Sequence, residues 1–353
     1  MLYSMHFISY NINMKKYNWQ TIGHNKIVKI LQKSIESNKL AHAYLFSGKE
    51  GLGKRFLAEK FINSILCHDY NLQNKQEVKS LPCNDCVFCN QLNKKIHPDV
   101  YFLKKEEDKK NISVEQVREM QKVLHMASFL NSYKIALIDS ADDLSESAQN
   151  ALLKILEEPK SKTILLLISS DYKGLLPTIV SRCQIIRFLP LANETIFKHL
   201  LELGASREQA NLLAALSHGQ IGGAINFYKN QDFLNEYIEN TKQFLALFNN
   251  NISNQFKILD NLLVGFKNNF EINNQLNKEL DYWQLVLRDI LAMQYNLDNL
   301  VINLYFKDKL ADLAKKYKSW QIIELLAKIK AVKQYLKYNI NPRLAVENLV
   351  LNF

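Results

Sequence analysis

Four groups of residues in this 353-residue chain have the types and spacing to do chemistry. The first is Gly48-Lys49-Glu50-Gly51-Leu52-Gly53-Lys54, set between the apolar run AYLFS and the helical pattern FLAEKFINSIL. Glycines in such a loop let successive backbone N–H groups turn inward around phosphate. Lys54 can reach β- and γ-phosphates, and a Ser or Thr next in line would hold Mg²⁺. Arg55 stands there instead and offers no hydroxyl. The second is Asp139, which ends the run Ile135-Ala-Leu-Ile and could orient a hydrated Mg²⁺. A hydrolase of this build follows that Asp with Glu to polarise water; here Ser140 follows. A serine hydroxyl is no general base near neutral pH without an activating neighbour. Two parts of the hydrolytic machinery are missing together. The sequence therefore predicts a degenerate site with ATP binding weak or absent, while Lys54 and Gly48, Gly51 and Gly53 leave residual phosphate binding open.

The third group is Cys67-x15-Cys83-x2-Cys86-x2-Cys89. Four thiolates complete a closed tetrahedral Zn²⁺ site with a structural role. A C-x2-C-x2-C run can also hold an iron–sulfur cluster, although no proline follows its last cysteine. His68 and His97 lie close in sequence as alternative ligands. The fourth group is Ser181-Arg182-Cys183, between LLPTIV and QIIRF. On residue chemistry alone it reads as a surface arginine beside a small buried cysteine.

These residues need a scaffold, and the chain supplies its outline. Nine of the ten glycines fall at or before Gly223 and five of the six prolines at or before Pro190, so the first half carries the punctuation of strands, loops and helices. Runs 43–48, 134–140 and 163–170 predict buried strands, and a shorter strand run, 184–188, follows. Ser113 with Gln116 predicts a boxed helix start at 114–126, and Ser145 caps a helix that Pro159 must end. Strands separated by helices imply an α/β parallel sheet with helices on both faces. From about residue 231 onward the pattern is of long amphipathic helices, such as 282–293 and 320–335.

Composition sets the bounds. A 47% apolar and 23% charged chain is globular in character. Five cysteines in this length do not make a secreted disulfide framework. The longest strongly apolar stretch, 163–168, is far below the ~20 residues a spanning helix requires. The N-terminus lacks the pattern of a secretory signal, which predicts a cytoplasmic protein with no membrane partner. The net charge of +10 suits a nucleic-acid or phosphate partner, yet the basic residues are scattered and Lys, Asn and Ile are abundant throughout.

Taken together, WQTIGHNKIVKIL (19–31), HAYLFSGKEGLGK (42–54), the cysteine run with HPDV (97–100), ISVEQVRE (112–119), SAQNALLKILEEP (147–159) and LLPTIVSRCQ (175–184) resemble the clamp-loader branch of the AAA+ family, subunits of bacterial DNA polymerase III. The resemblance covers most of the first 190 residues and continues beyond them in helical character more than in motif. It implies a RecA-like AAA+ domain at 17–190 carrying a zinc module at 67–89. A helical lid at 191–231 and an all-α collar domain at 232–353 would follow. Residues 1–16 would be an extension, with Met14 as a candidate initiator.

The resemblance also implies that Arg182, in the Ser181-Arg182-Cys183 motif, is an arginine finger offered in trans to a neighbouring subunit's ATP. The helix before Pro159, with Asn150, Lys154, Glu157 and Glu158, would lie near the subunit interface. Partners would be the gamma/tau and delta subunits and, through the assembled loader, the sliding clamp and primer–template DNA. Arg55, Ser140 and the absence of an Arg in SHGQIGGAINFY point to a subunit that does not hydrolyse ATP by itself, within a DNA-directed DNA polymerase holoenzyme, a nucleotidyltransferase. The rival expectations are an active gamma/tau-like AAA+ ATPase and a zinc-dependent DNA-binding module with a vestigial loop.

Overall fold

The computed structural model describes residues 17–67, 80–106, 109, 111–128, 132–159, 162–248, 251–263, 269–336 and 341–351. The extension 1–16 with Met14, and His68, lie outside them. The chain forms two compact units, 1–191 and 192–353.

In the first unit the chain runs α1 (Asn25–Glu36), β1 (Ala43–Ser47), α2 (Lys54–Leu66), α3 (Val87–Asn93), β2 (Val100–Leu103), α4 (Val114–His125) and β3 (Lys134–Ile138). It continues through α5 (Glu146–Glu157), β4 (Thr163–Ser169), α6 (Pro177–Val180) and β5 (Gln184–Arg187). The five strands are parallel, in the order β2-β3-β4-β1-β5. Parallel neighbours need crossovers, and the helices supply them. Alternation along each strand sorts the side chains between two cores. Tyr44, Phe46, Ile135, Leu137, Ile164 and Leu166 pack with Leu31 and Ile35 of α1 and Leu57 and Phe61 of α2. Ala43, Leu45, Ala136, Ile138, Leu165 and Leu167 pack with Val117 and Met120 of α4 and Leu152 and Ile155 of α5. Each fully buried large apolar side chain contributes on the order of 1.5–3 kcal/mol. The sheet is thus covered on both faces, as the strand and helix pattern requires.

The register places the chemistry. Ser47 pairs with Ser169, and Ile138 with Leu167, so the carboxyl ends of β1, β3 and β4 lie side by side. Gly48 and Asp139 leave that edge, where open α/β sheets bind ligands. The strands stop one or two residues short of the predicted runs because Gly48, Asp139, Ser140 and Ser170 already belong to the loops. The capping box at Ser113–Gln116 and the Ser145 cap form as expected. Strand β2 has no counterpart in the sequence reading.

The second unit begins with α7 (Asn193–Glu202), α8 (Arg207–Leu216) and α9 (Ile221–Lys229). Then come α10 (Gln231–Leu247), α11 (Ile252–Leu263), α12 (Asn269–Gln294), α13 (Lys307–Lys316), α14 (Ser319–Tyr335) and α15 (Pro342–Val350). Its core gathers on α12, where Trp283 stacks on Phe244 of α10 at 4.8 Å. Among the described residues no helix is long and apolar enough to cross a membrane.

Candidate functional site

The conformation of the loop 48–53 depends on glycine geometry. Gly48 has φ 149°, and a Cβ there would meet the Phe188 carbonyl oxygen at 2.4 Å. Gly53 takes φ 85° as the residue that starts α2. Leu52 is buried and its carbonyl oxygen lies 3.1 Å from His24 Nε2, while the His24 ring packs edge-on against Phe188. The loop is therefore backed by Phe188, directly after β5, and by His24, the residue preceding α1.

Inside it, Lys54 is 6% exposed. Its ammonium donates to the carbonyl oxygens of Gly48 and Lys49, the second at 2.7 Å. Burial pushes Lys54 below the usual lysine value, and the nearby carboxylates Glu50, Asp142 and Asp139 pull it back up. The residue that follows is bound elsewhere. Arg55 Nη1 donates to Asp139 Oδ2 at 2.6 Å, and Arg55 Nε donates to Glu59 at 3.1 Å. A guanidinium thus pairs with the carboxylate that would orient hydrated metal, from the sequence position where a metal-holding hydroxyl would stand. Ser140, the next residue, has φ 59° and begins a short turn rather than extending the strand.

The four cysteines Cys67, Cys83, Cys86 and Cys89 converge, although Cys67 directly follows α2, Cys83 and Cys86 come from the turn into α3, and Cys89 lies within α3. All four Sγ atoms lie within 4.8 Å of one another, so the group can hold a metal ion. A tetrahedron with metal–sulfur bonds of about 2.3 Å has edges of about 3.8 Å. Cys83 Sγ and Cys89 Sγ are 3.8 Å apart. The backbone N–H groups of Cys86 and Cys89 donate to Cys83 Sγ and Cys86 Sγ, each at 3.4 Å, which stabilises charge on sulfur. With thiols alone, burial pushes Cys83 up to about 12, and hydrogen bonding to Cys67 followed by burial pushes Cys89 up as well. Four thiolates this close need a cation among them, so the donor set fits a divalent metal. His97 stays outside this set: its Nδ1 accepts from the Asp99 backbone N–H at 3.1 Å.

Arg182 follows α6 and is about one-third exposed. Its Nη1 donates to the Thr178 carbonyl at 3.0 Å, and its Nη2 lies 2.9 Å from Glu157 Oε1 at the end of α5. Ser181 Oγ donates to the Thr178 carbonyl, and burial pushes the Cys183 thiol up to about 12, far from thiolate reactivity. Sequence reasoning missed Gln149. Its buried side-chain oxygen accepts from Leu176 N–H at 2.8 Å and its amide donates to the Leu144 and Gly174 carbonyls. A polar residue on the inward stripe of a helix was the available signal.

The geometry can be set beside known proteins. A family model described as "DNA polymerase III, delta subunit" matches residues 23–192. The DNA polymerase III subunit delta′ of Bacillus subtilis is 31% identical over 92% of this chain and 94% of its own length. The chain belongs to the DNA polymerase III delta′ family. It is a clamp-loader subunit of that polymerase, and its first unit is an α/β domain with a parallel five-stranded sheet. The delta′ subunit of Pseudomonas aeruginosa is 41% identical over 40% of this chain and 42% of its own. The gamma subunit of Buchnera aphidicola (subspecies Schizaphis graminum) is 26% identical over 98% of both chains. Among solved structures, the Bacillus subtilis clamp-loader delta protein is 15% identical with a TM-score of 0.33, covering 92% of this chain and 98% of its own. Within this delta′ family member, the Gly48–Lys54 loop, the cysteine group and Arg182 all fall in the first unit.

Proposed function

We propose that this delta′-family subunit does not hydrolyse ATP and that it serves the loader through Arg182. The observation that carries the reading is the Arg55–Asp139 pair: a fixed cation already satisfies the carboxylate on which hydrated Mg²⁺ would depend. Ser140 leaves attacking water without a base. Arg182 is a permanently charged, partly exposed guanidinium just after α6. In the assembled loader it meets developing charge on the γ-phosphoryl group of a neighbour's ATP, a contribution on the order of 10³–10⁵ in rate. Ser181 and Cys183 fix the turn that presents it.

The chain's partners are the gamma/tau and delta subunits and, through the whole loader, the sliding clamp and primer–template DNA. The second unit would divide into a lid at 191–231 and a collar at 232–353. The metal is Zn²⁺, which supplies a structural cross-link among four thiolates with no open coordination position. The protein is cytoplasmic.

Reconstitution of the loader tests this. The isolated chain is expected to show no appreciable ATPase, and Arg182→Ala is expected to leave assembly intact while lowering the loader's ATPase at least tenfold. Brisk turnover by the isolated chain, abolished by Lys54→Ala, would instead establish a gamma/tau-like motor.

A further inference from the structure

We infer that Glu157 is a positioning residue for Arg182. The inference rests on the reading of Arg182 as the finger and adds the device that aims it. Helix α5 holds the finger segment at two points. Near its start, Gln149 accepts from Leu176 N–H, the residue before α6, at 2.8 Å. At its last residue, Glu157 Oε1 takes Arg182 Nη2 at 2.9 Å. The two attachments are eight residues apart, about 12 Å along a helix. The Thr178 carbonyl takes Nη1 at 3.0 Å, so the guanidinium plane is fixed by two acceptors on different elements.

A guanidinium has five N–H donors. Two are committed within the chain, and three remain for an incoming phosphoryl group. The pair is half exposed on the Glu157 side, so it adds little to folding stability. Its effect is on conformation: a long side chain that samples many rotamers is confined to one before the neighbour's nucleotide arrives, and misplacement of a charged group by an ångström can cost up to about 100-fold in rate. Glu157 touches no substrate and acts through Arg182.

The test is a double-mutant cycle in the reconstituted loader with the full chain. Glu157→Gln and Glu157→Ala are expected to lower kcat about tenfold with KM for ATP unchanged, Glu157→Asp to recover part of the loss, and assembly and thermal midpoint to stay as in the parent. In an Arg182→Ala background, Glu157→Ala is expected to cost nothing further. Parent-like kcat in the Glu157 variants would overturn the inference while leaving the finger intact. So would an undiminished loss on top of Arg182→Ala, or failed co-purification. If Arg182→Ala alone left ATPase unchanged, the finger reading itself would fall.

Discussion

Arg55 on the first turn of α2 and Asp139 at the end of β3 are joined by a 2.6 Å ion pair across 84 residues of sequence. The pair ties the start of α2 to the end of β3, a link that an ATPase would make through Mg²⁺, and it does so with a cation that cannot exchange. Nucleotide affinity of the isolated chain is therefore expected to be weak and indifferent to Mg²⁺. The double variant Arg55→Thr/Ser140→Glu is expected to gain Mg²⁺-dependent nucleotide binding by at least tenfold in a calorimetric titration. Equal affinity with and without Mg²⁺ in that variant would reject the assignment. The ion pair itself is partly solvated, so its loss is expected to cost only ~1 kcal/mol of stability.

For the cysteine centre, elemental analysis of fresh protein is expected to give about one zinc per chain. Cys86→Ser should lower that content and destabilise the first unit, since a structural metal's binding energy is folding energy. Acidification should release the metal, because protons compete for the thiolates. Iron in place of zinc would refute the assignment.

The loop glycines are not equivalent. At Gly53 nothing lies near a new Cβ, so Gly53→Ala meets only the left-handed backbone cost, ~1–2 kcal/mol. At Gly48 the Cβ would drive into the Phe188 carbonyl, which belongs to the backbone and cannot rotate away. Gly48→Ala is expected to cost ~2 kcal/mol more than Gly53→Ala in urea unfolding. Equal losses would mean that β5 yields to the loop.

Glu279 gives a pH dependence in the second unit. It is fully buried on α12, accepts from Asn240 at 2.6 Å and Gln275 at 2.8 Å through Oε1, and leaves Oε2 without a hydrogen bond. Burial pushes it up to about 7; Lys278 opposes that rise and Glu236 adds to it. The folded state therefore holds its proton more tightly than the unfolded chain. Its contribution is fully present below the ordinary carboxylate value and is lost as pH rises from about 4.5 to about 7, by roughly 3 kcal/mol at most. Glu279→Gln should remove that loss, so the variant is expected to exceed the parent in stability at pH 8 but not at pH 4. A constant difference across pH would exclude this role.

Much of the first unit was legible in the sequence because its signals are local. Unbroken runs such as TILLLIS mark strands buried on both faces, and Ser113 with Gln116 marks a helix start within four residues. β2 (Val100–Leu103) escaped, although β5 shares its four-residue length and its place at an edge of the sheet. The spacing of Cys83, Cys86 and Cys89 announced a centre, whereas Cys67 joins it only because the chain returns to the end of α2. The missing hydroxyl at Arg55 was plain, but its partner was not: the order β1-β4-β3 decides that Asp139 comes within reach. The same holds for Glu157 and Gln149, whose partners come from the chain beyond β4. His97 sat close enough in sequence to suggest a ligand, and the fold uses its ring to secure the turn at Asp99 instead.

Tyr17 forms a bridge with Leu81, Asn18 N–H donates to the Leu81 carbonyl at 2.9 Å, and Trp19 Nε1 donates to Ser64 at 2.8 Å. Leu81 stands two residues ahead of Cys83, so the thiol module doubles as a clasp on the stretch that leads into α1. Chelation would then do more than empty a pocket of sulfurs: it would unfasten the threshold of the domain, and proteases would find their first cut there.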